Sequence, residues 1–434
     1  MPPFDAGVPA LVLRLDRNPF HHGTLGAVRS LGRTGVEVHA VVESARSPVA
    51  RSRHLSRAHP APRWAATGPD AFVDLLCAVS ERIGRRAVLI PMDDLGAVLT
   101  AAHAPRLAER YLFPALPPAL PGLLADKGEL AAVCRAAGVA HPETVVPPGA
   151  AATADAAARL GLPLVAKWSR PWLLPPAAGL RSTCLVRSPA EARALYERGA
   201  GTGAGLLLQR YLPDAPDGDW FFHGYVDAHA DCLAGGSGRK ELSWPPRTGL
   251  TAKGRWQPNA EVERAALRLV AHVGYRGVID LDFRRDASTG VYSLLDANPR
   301  PGAQFRLFTG PDGIDVVRAL YLDLTGQPVP ARAERPGRVF VAENYALLAA
   351  AATATGGRRA PTASVGGAGV ETAWYAADDP RPFFAMAGAW LRRGLAKGAG
   401  RASAAVRPRV PPPRTAMAPT AVAPTEAQPT QTQH

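Results

Sequence analysis

The chain has 434 residues, of which 47% are hydrophobic, and its formal net charge is +13. This length is too great for one compact core, so we expect two or three domains. The charge does not predict nucleic-acid binding, because seven Lys or Arg residues without an acid lie between Arg392 and Arg414 and the other basic residues are dispersed, without aromatic platforms beside them.

The first elements in chain order predict an α/β domain over residues 1–118. Residues 9–15 are typical of a buried strand, residues 23–26 open a helix, and residues 35–42 indicate a second strand. Gly23 and Gly26 match only part of a dinucleotide-binding fingerprint, so a role in tight-turn packing is favoured over nucleotide binding. This order of elements is typical of a doubly wound sheet.

Two acids follow the next predicted strand of this domain. A helix over residues 71–83 precedes a strand over residues 87–91, and Asp93 and Asp94 come directly after it. Ligands bind at such strand ends in open α/β sheets, which makes both acids candidates for substrate contact. Capping of the next helix by Asp94 is the simpler interpretation.

A proline-rich linker over residues 114–121 leads into a predicted α+β domain over residues 119–330. Its strands alternate with helices and include hairpins, and Lys167 lies among apolar residues in one strand. The predicted strands are residues 163–168, 206–213 and 220–226, and the predicted helices are residues 127–137 and 261–273.

The segment from Asp280 to Asn298 predicts a hairpin. If Ser288–Gly290 is a three-residue loop with Gly290 in the left-handed conformation, Ala287 faces Val291. The same count along the ladder brings Asp282 directly across from Asp296.

Alternation along these two strands places four oxygen-bearing side chains on one face. Carboxylate and amide oxygens are the ligands that Mg²⁺ prefers, whereas a solvated hairpin face with scattered acids is the alternative that spacing alone leaves open. The polar face carries Asp280, Asp282, Asp296 and Asn298, and the apolar face Ile279, Leu281, Phe283, Leu295 and Ala297.

The remaining sequence signals concern the C-terminus, the cysteines and the cellular location. Residues 331–399 form an additional region, and residues 400–434, rich in Pro, Ala and Thr, are predicted to be a disordered tail. Four separated cysteines without a CxxC pair are typical of buried thiols in a reducing compartment. Because we find no signal peptide and no apolar run of membrane-spanning length, we expect a cytoplasmic soluble protein.

Taken in order, the motifs resemble those of the ATP-grasp superfamily, within it the carboxylate–amine ligase type, over residues 10–330. The resemblance implies an α/β plus α+β fold, in which a Rossmann-like pre-ATP-grasp domain (1–118) precedes an ATP-grasp domain (119–330). That domain would consist of two ATP-binding lobes with a hinge near residues 206–214, followed by a C-terminal extension (331–399).

The resemblance also implies the roles of eleven residues. Arg210 stands where the family usually has an acid, both metal-binding acids are Asp where Glu is common, and the loop 168–179 is rich in Pro and Trp instead of Gly. The implied nucleotide-binding residues are Lys127, Lys167, Gln209, Arg210, Tyr211 and Leu212; the metal ligands are Asp282, Asp296 and Asn298; and the catalytic residues are Arg300 and Lys240.

What the resemblance implies for function is an enzyme that uses ATP and Mg²⁺, with Mn²⁺ as a substitute, to join a carboxylate to an amine through an acyl phosphate. The expected partners are small molecules, amino acids or peptides above all, and neither nucleic acid nor membrane. An ATP-dependent small-molecule kinase and a non-catalytic ATP-binding regulator are the alternatives. The sequence leaves open the identity of the substrates and the oligomeric state.

Overall fold

The computed structural model describes residues 4–61, 68–175, 178–213, 215–246, 249–355 and 369–406. The chain divides into two units, Met1–Ala387 and Gly388–His434, and every described strand lies in the first. Most of the predicted tail lies outside the described residues, although the last helix extends to Val406.

The first domain is built on a parallel five-stranded sheet with strand order β3-β2-β1-β4-β5. Except for the edge strand β3, which is polar and partly exposed, its strands are short, mainly apolar runs whose side chains are mostly buried, as expected when helices cover both faces. The strands are β1 (Ala10–Leu13), β2 (Val38–Val42), β3 (Arg57–Pro60), β4 (Ala87–Pro91) and β5 (Tyr111–Leu112), and the helices are α1 (His22–Gly32), α2 (Pro69–Ile83), α3 (Asp94–Ala102) and α4 (Ala104–Leu107), with a 3₁₀ turn at Val49–Arg51.

The cap of α3 differs from the sequence prediction. The carboxylate of Asp93, not that of Asp94, accepts the backbone N–H of Gly96 at 2.7 Å and therefore caps the helix. Asp93 also accepts the backbone N–H groups of Leu15 and Asp16, which ties the ends of β1 and β4 together. Asp94 becomes the first residue of α3, and its side chain is left for another partner.

A four-stranded sheet with order β6-β9-β7-β8 forms the first lobe of the middle domain. The proline-rich linker is not fully extended, because a short helix (α5) forms within it; Asp126 then caps α6, and Gly138 ends that helix at φ +64°. The strands are β6 (Thr144–Val145), β7 (Leu164–Trp168), β8 (Thr183–Val186) and β9 (Leu206–Arg210), and the helices are α5 (Leu120–Ala125), α6 (Lys127–Ala137), α7 (Ala150–Leu160) and α8 (Pro189–Gly199), with a 3₁₀ turn at Pro171–Leu173.

The third sheet has seven strands in the order β14-β13-β10-β11-β12-β15-β16. Its last two strands come from the region predicted to be a separate C-terminal extension, so that region completes the sheet at one edge. The strands are β10 (Asp219–Val226), β11 (Cys232–Trp244), β12 (Leu250–Trp256), β13 (Gly277–Arg285), β14 (Tyr292–Asn298), β15 (Val339–Val341) and β16 (Val370–Thr372), and the helices are α9 (Ala260–Val273), α10 (Val316–Leu324), α11 (Glu343–Thr355) and α12 (Arg381–Val406), with a 3₁₀ turn at Phe305–Phe308.

The β13–β14 hairpin has the predicted pairing of Asp282 with Asp296, but its loop is one residue longer than predicted. Asp286, not Ala287, pairs with Val291: the backbone N–H of Asp286 donates to the carbonyl of Val291 at 2.9 Å. A bulge then adds one residue to β14 and restores the expected register.

The bulge also changes the apolar face of β14. Leu294, not Leu295, enters the core beside Ile279, Leu281 and Ala297. Leu295 is only partly buried, and its carbonyl faces the other side of the hairpin, where it accepts a lysine.

An ionic cluster attaches the C-terminal region to the first domain. Asp379 is 1% exposed and accepts the Nε–H of Arg29 at 2.9 Å, the hydroxyl of Ser52 at 2.7 Å and the backbone N–H of Arg53 at 2.9 Å. The neighbouring Asp378 forms an exposed ion pair with Arg33 at 2.8 Å. The segment Asp378–Asp379 therefore packs against the C-terminal half of α1 and the 3₁₀ turn after β2.

The cysteines are all free thiols, of which only Cys134 is buried. The other three, Cys77, Cys184 and Cys232, are partly buried, so the prediction of buried thiols is confirmed for one of the four. None of the helices among the described residues is long and apolar enough to cross a membrane.

Candidate active site

A cleft of about 720 Å³, open to solvent, separates the four-stranded sheet from the seven-stranded sheet. Residues of both sheets line it, which places seven of the eleven predicted site residues on its walls. The described lining residues are Val165, Lys167, Thr183, Gln209, Arg210, Leu212, Asp219, Lys240, Ser243, Gly249, Asp282, Phe283, Arg284, Leu295 and Asp296.

Two aspartates face each other across the β13–β14 hairpin, and each has a lysine as partner. Lys240 donates to the carboxylate of Asp282 at 3.2 Å, and Lys127 donates to that of Asp296. Burial raises the pKa of Asp296, but Lys127 and then Lys167 lower it further than burial raises it. The Asp296 carboxylate is therefore ionised at neutral pH.

The third lysine, Lys167, has a different environment. It is 7% exposed, and its ammonium group donates to the backbone carbonyl of Leu295 at 2.7 Å instead of to a carboxylate. Burial lowers its pKa to about 8, although nearby Asp296 raises it. For Lys127 and Lys240 burial also lowers the pKa, but their carboxylate neighbours raise it above the usual value.

Arg284 and Asp219 complete the charged wall, as an ion pair with an Nε–Oδ1 distance of 2.6 Å. Sequence reasoning missed both residues. Strand alternation could have found Arg284, since it lies two residues beyond Asp282 on the same face of β13. Asp219 is opposite Arg284 in the register of β10, which only the fold reveals. The described residues of the cleft thus carry an excess of positive charge that an anionic ligand would neutralise.

The predicted hinge follows β9 at the cleft's edge. The Gln209 side chain is 3% exposed and donates to the hydroxyl of Thr144 at 3.0 Å, while the backbone N–H of Arg210 donates to the carbonyl of Glu143 at 2.9 Å. The Arg210 side chain is exposed and lies 3.9 Å from the carboxylate of Asp286. These contacts hold the backbone of the hinge in place.

Two further hinge residues differ in their position. Leu212 is 3% exposed and lines the cleft beside Gln209 and Arg210. Tyr211 is not among the described residues that line the cleft, although it lies between two that do.

Arg300 lies beyond the end of β14 and is held by two acids from different domains. Its Nη1 atom donates to Asp280 at 2.9 Å, and its Nε atom donates to Asp94 at 3.1 Å. Asp94 therefore does not cap α3. Its carboxylate contacts Arg300, a predicted catalytic residue.

The acid Asp280 has a second set of neighbours in the buried part of the sheet. Asn298 donates from Nδ2 to its carboxylate at 3.3 Å. His223, fully buried on β10, lies 3.2 Å from the other carboxylate oxygen, but the geometry is not that of a hydrogen bond. Burial lowers the pKa of His223 to about 3, so this histidine is neutral. Asp280 is therefore occupied by contacts within the protein.

The donor set at the hairpin suits a hard divalent cation. Asp282 and Asp296 supply oxygens that already attract ammonium groups, and the bond from Nδ2 of Asn298 leaves its Oδ1 atom as a ligand. Among the described residues no group of three or more His, Cys, Asp or Glu side chains converges as a ready metal site. A hard cation held by two carboxylates and one amide would need further oxygen ligands to reach its usual coordination number.

Lys127 and Arg300 are the predicted residues that lie next to the cleft without lining it. Lys127, at the first position of α6, reaches the cleft through its bond to Asp296. Arg300 is connected to the hairpin through Asp280. Asn298 also contacts Asp280 and, like Arg300, is not among the described residues that line the cleft.

Solved structures with the same arrangement of domains are similar to this chain over about three quarters of its length. Biotin carboxylase from Campylobacter jejuni, in complex with β,γ-ATP, has a TM-score of 0.56 at 13% identity and covers 75% of this chain and 73% of its own. The L-amino acid ligase from Bacillus licheniformis has a TM-score of 0.55 at 15% identity, with 74% and 75% covered. N5-carboxyaminoimidazole synthetase from Staphylococcus aureus, complexed with ADP, has a TM-score of 0.57 at 14% identity, with 76% and 80% covered.

These similarities establish the architecture: the chain has the ATP-grasp fold, with a Rossmann-like domain before two lobes that face each other across a cleft. The predicted fold class is confirmed. No family model and no curated protein sequence matches the chain.

Proposed function

We propose that this protein is an ATP-dependent carboxylate–amine ligase that forms an amide bond through an acyl-phosphate intermediate. The observation that carries the proposal is a cluster of three lysines at the cleft between the two sheets. Lys127 and Lys240 bond to the two facing aspartates. Lys167 bonds to the backbone carbonyl of Leu295, which lies between those aspartates in the sequence. Such a cluster suits a polyanion that arrives with its own cation, as a nucleoside triphosphate does.

Lys127 and Lys167 bind the phosphates of ATP in this proposal. Burial of an ammonium group is costly unless an anion is near, and Lys167 has only a backbone carbonyl as its hydrogen-bond acceptor. A phosphate supplies the missing counter-charge. The hinge, Gln209 to Leu212, holds the base, because its backbone is fixed and it borders the cleft.

Asp282, Asp296 and Asn298 hold Mg²⁺, or Mn²⁺ in its place. The metal, when bound, neutralises phosphate charge. With the aspartate oxygens occupied by a metal, the ammonium groups of Lys127 and Lys240 would be released from them and would be available to the phosphates.

The reaction proceeds in two displacements. An oxygen of the substrate carboxylate attacks the γ-phosphorus, the bond to the β-phosphate oxygen breaks, and ADP leaves with that electron pair. The amine nitrogen then attacks the acyl carbon, phosphate leaves, and the nitrogen loses a proton to form the amide. Arg300 and Lys240 neutralise the negative charge that develops on the acyl phosphate.

The similar solved structures support this reaction class, since one is an L-amino acid ligase and another a complex with ADP. Amino acids and peptides are accordingly the first substrates to test. The carboxylate and the amine reach the reacting centre from the side of Arg300, where the first domain meets the seven-stranded sheet.

The experiment is a screen for ADP release with pairs of carboxylates and amines, followed by mass spectrometry of the products. A ligase releases ADP only when both are present and yields a product that has lost one water relative to their sum. A stable phosphorylated product formed without an amine would identify a kinase instead. ATP binding without turnover for any pair would favour a regulator.

Matched variants connect the activity to the cleft. Lys240→Met removes the partner of Asp282, whereas Lys253→Met removes a lysine on the neighbouring strand that pairs with Glu241 at 2.8 Å, outside the residues that line the cleft. We expect ADP release to be lost in the first variant and retained in the second. Equal loss in both would indicate a general effect on the sheet.

A further inference from the structure

A second cavity, open to solvent, lies where the first domain meets the start of β13; its empty space, including the solvent at its mouth, is about 490 Å³. Its walls come from the end of β4, from α3, from the linker after β5 and from the segment that follows β14. The described lining residues are Leu89, Ile90, Pro91, Ala97, Thr100, Ala101, Phe113, Pro114, Leu116, Pro121, Tyr275, Arg276, Gly277, Val278, Pro299, Arg300, Pro301 and Leu320. We call it the apolar cavity.

The polar atoms of the uncharged side chains in this wall are already bonded within the protein. The Thr100 hydroxyl donates to the carbonyl of Gly96 at 2.7 Å, and the Tyr275 hydroxyl donates to that of Val278 at 2.8 Å. The rest of the uncharged wall is aliphatic, aromatic, Pro or Gly. A ligand in the body of this cavity must therefore be apolar.

Both charged residues that line the apolar cavity, among those the structure describes, are arginines: Arg276 and Arg300. Arg300 uses Nε and Nη1 for its bonds to Asp94, Asp280 and the carbonyl of Pro301. Among the described residues Nη2 has no bond of its own, so it remains as a donor for a ligand. Asp94 and Asp280 already offset the charge of Arg300. The exposed Arg276 supplies a second cation at the rim, so an anionic group there would find arginine donors.

The position of Arg300 connects this cavity to the cleft. Asp280, which accepts its Nη1 atom, lies two residues before Asp282 on the same face of β13. Asp94, which accepts its Nε atom, follows β4, whose carboxyl end forms part of the cavity wall. Ligands of open α/β sheets bind at such strand ends.

We propose that the apolar cavity binds the apolar chain of the carboxylate substrate, with the carboxylate at Arg300. The substrate class is then a carboxylic acid with an apolar chain of several carbons, and not a short polar acid. This inference rests on the proposed ligase function, which assigns Arg300 to the carboxylate. The inference assigns a binding site to the apolar chain of the substrate, which the residues lining the cleft do not bind.

The test measures binding of unbranched monocarboxylates, from acetate to octanoate, to the full chain by titration calorimetry. Burial of each methylene group should raise the affinity about fourfold until the chain outgrows the cavity. A matched series of alkylamines should show no such increase, because the rim carries arginines. The proposal would be overturned if acids and amines gained the same affinity per methylene group, or if the affinity of the acids did not depend on chain length.

Variants of α3 locate the binding. Ala101→Leu fills the cavity, so octanoate should bind at least tenfold more weakly while acetate is unaffected. Ala102→Leu adds the same side chain at an exposed position of the same helix and should change neither. If octanoate binds Ala101→Leu as well as it binds the unaltered chain, the cavity is not its site.

Phe113→Ala keeps the test decisive if Ala101→Leu does not fold, as judged by its thermal transition. This change enlarges the cavity, so the preferred acid should become longer by one or more carbons; an unchanged preference would contradict the proposal. A separate measurement of ATP binding to the unaltered chain distinguishes failure of the ligase proposal from failure of the cavity proposal. If the unaltered chain does not bind ATP, the ligase function is contradicted. If it binds ATP but binds acids without dependence on chain length, only the assignment of the cavity is contradicted.

Discussion

Two ionic clusters of this protein contain buried charges but differ in how those charges are satisfied. In the cluster around Asp379, one aspartate accepts Arg29, Ser52 and a backbone N–H group, so its oxygens are fully used within the protein. In the cleft, Lys167 has only a carbonyl as acceptor. A cluster that satisfies itself holds elements together, whereas one with excess charge is prepared for a ligand.

The largest expected effect is a loss of catalytic activity, which should follow substitution in the cleft and not substitution around Asp379. Lys167→Met should lower nucleotide-dependent turnover by about 100-fold, because the phosphates lose a preorganised cation. Its thermal transition should stay close to that of the unaltered chain, since no carboxylate loses a direct partner. ADP release and a thermal melt check both statements. Lys253→Met is the control. An equal loss of turnover in this variant would mean that the effect is not specific to a lysine of the cleft.

Substitution in the other cluster should have the opposite outcome. Asp379→Ala leaves Arg29, which is fully buried, without its carboxylate and should lower the free energy of unfolding by about 3–5 kcal/mol. Nucleotide affinity at a temperature where the variant is folded should not change. Denaturant unfolding measures the loss, and Asp378→Ala, at a more exposed neighbour, should cost less than about 1 kcal/mol. Equal costs would contradict the assigned roles.

A smaller effect concerns metal binding in the absence of nucleotide. Because Lys240 contacts Asp282 in the free protein, Lys240→Met should raise the affinity for Mn²⁺ by roughly tenfold, equivalent to about 1.4 kcal/mol. Electron paramagnetic resonance of free Mn²⁺ measures this without any turnover. Lys253→Met should bind Mn²⁺ as the unaltered chain does. An unchanged affinity in Lys240→Met would mean that the lysine does not compete with the metal.

The smallest effect is a pH dependence of stability. Burial raises the pKa of Asp379, but its hydrogen bonds to Arg53, Ser52 and Arg29 lower it further, so the folded pKa lies below the unfolded value of about 3.9. The contribution of Asp379 to the free energy of unfolding is therefore fully present above about pH 4 and is lost as the pH falls through the folded pKa. Denaturant unfolding between pH 2 and pH 7 should show a steeper acid loss for the unaltered chain than for Asp379→Asn. If the free energy of unfolding fell equally steeply with pH in both proteins, Asp379 would not be the source of the acid sensitivity.

The sequence predicted the pairing of the two aspartates in the cleft correctly because their motif is local. Asp282 and Asp296 lie on two strands joined by a short turn, so alternation and loop length were enough to pair them. Even there the loop prediction was one residue too short, and a bulge in β14 compensated for it. A bulge depends on twist and on packing against neighbours, which no local pattern encodes.

Residues brought together over long distances in the chain were beyond sequence reasoning. Asp94 was correctly found at a strand end, but its contact with Arg300 spans 206 residues. The pairing of Asp219 with Arg284 exists only because β10 lies beside β13. The helical cap was assigned to Asp94 instead of Asp93 because both acids stand at the end of the same strand, and backbone geometry decides between them.

By itself, then, the sequence determined many of the elements and the polar face of the hairpin, since these follow from periodicity and spacing along the chain. The order of its motifs added a resemblance to the ATP-grasp superfamily. Only the tertiary structure decided which charges meet: the lysines on Asp282 and Asp296, Arg300 between two domains, and Asp379 on Arg29. It also formed the apolar cavity, whose walls come from distant segments. Such contacts depend on how whole elements pack, and the free energy of that packing is not a property of any local segment.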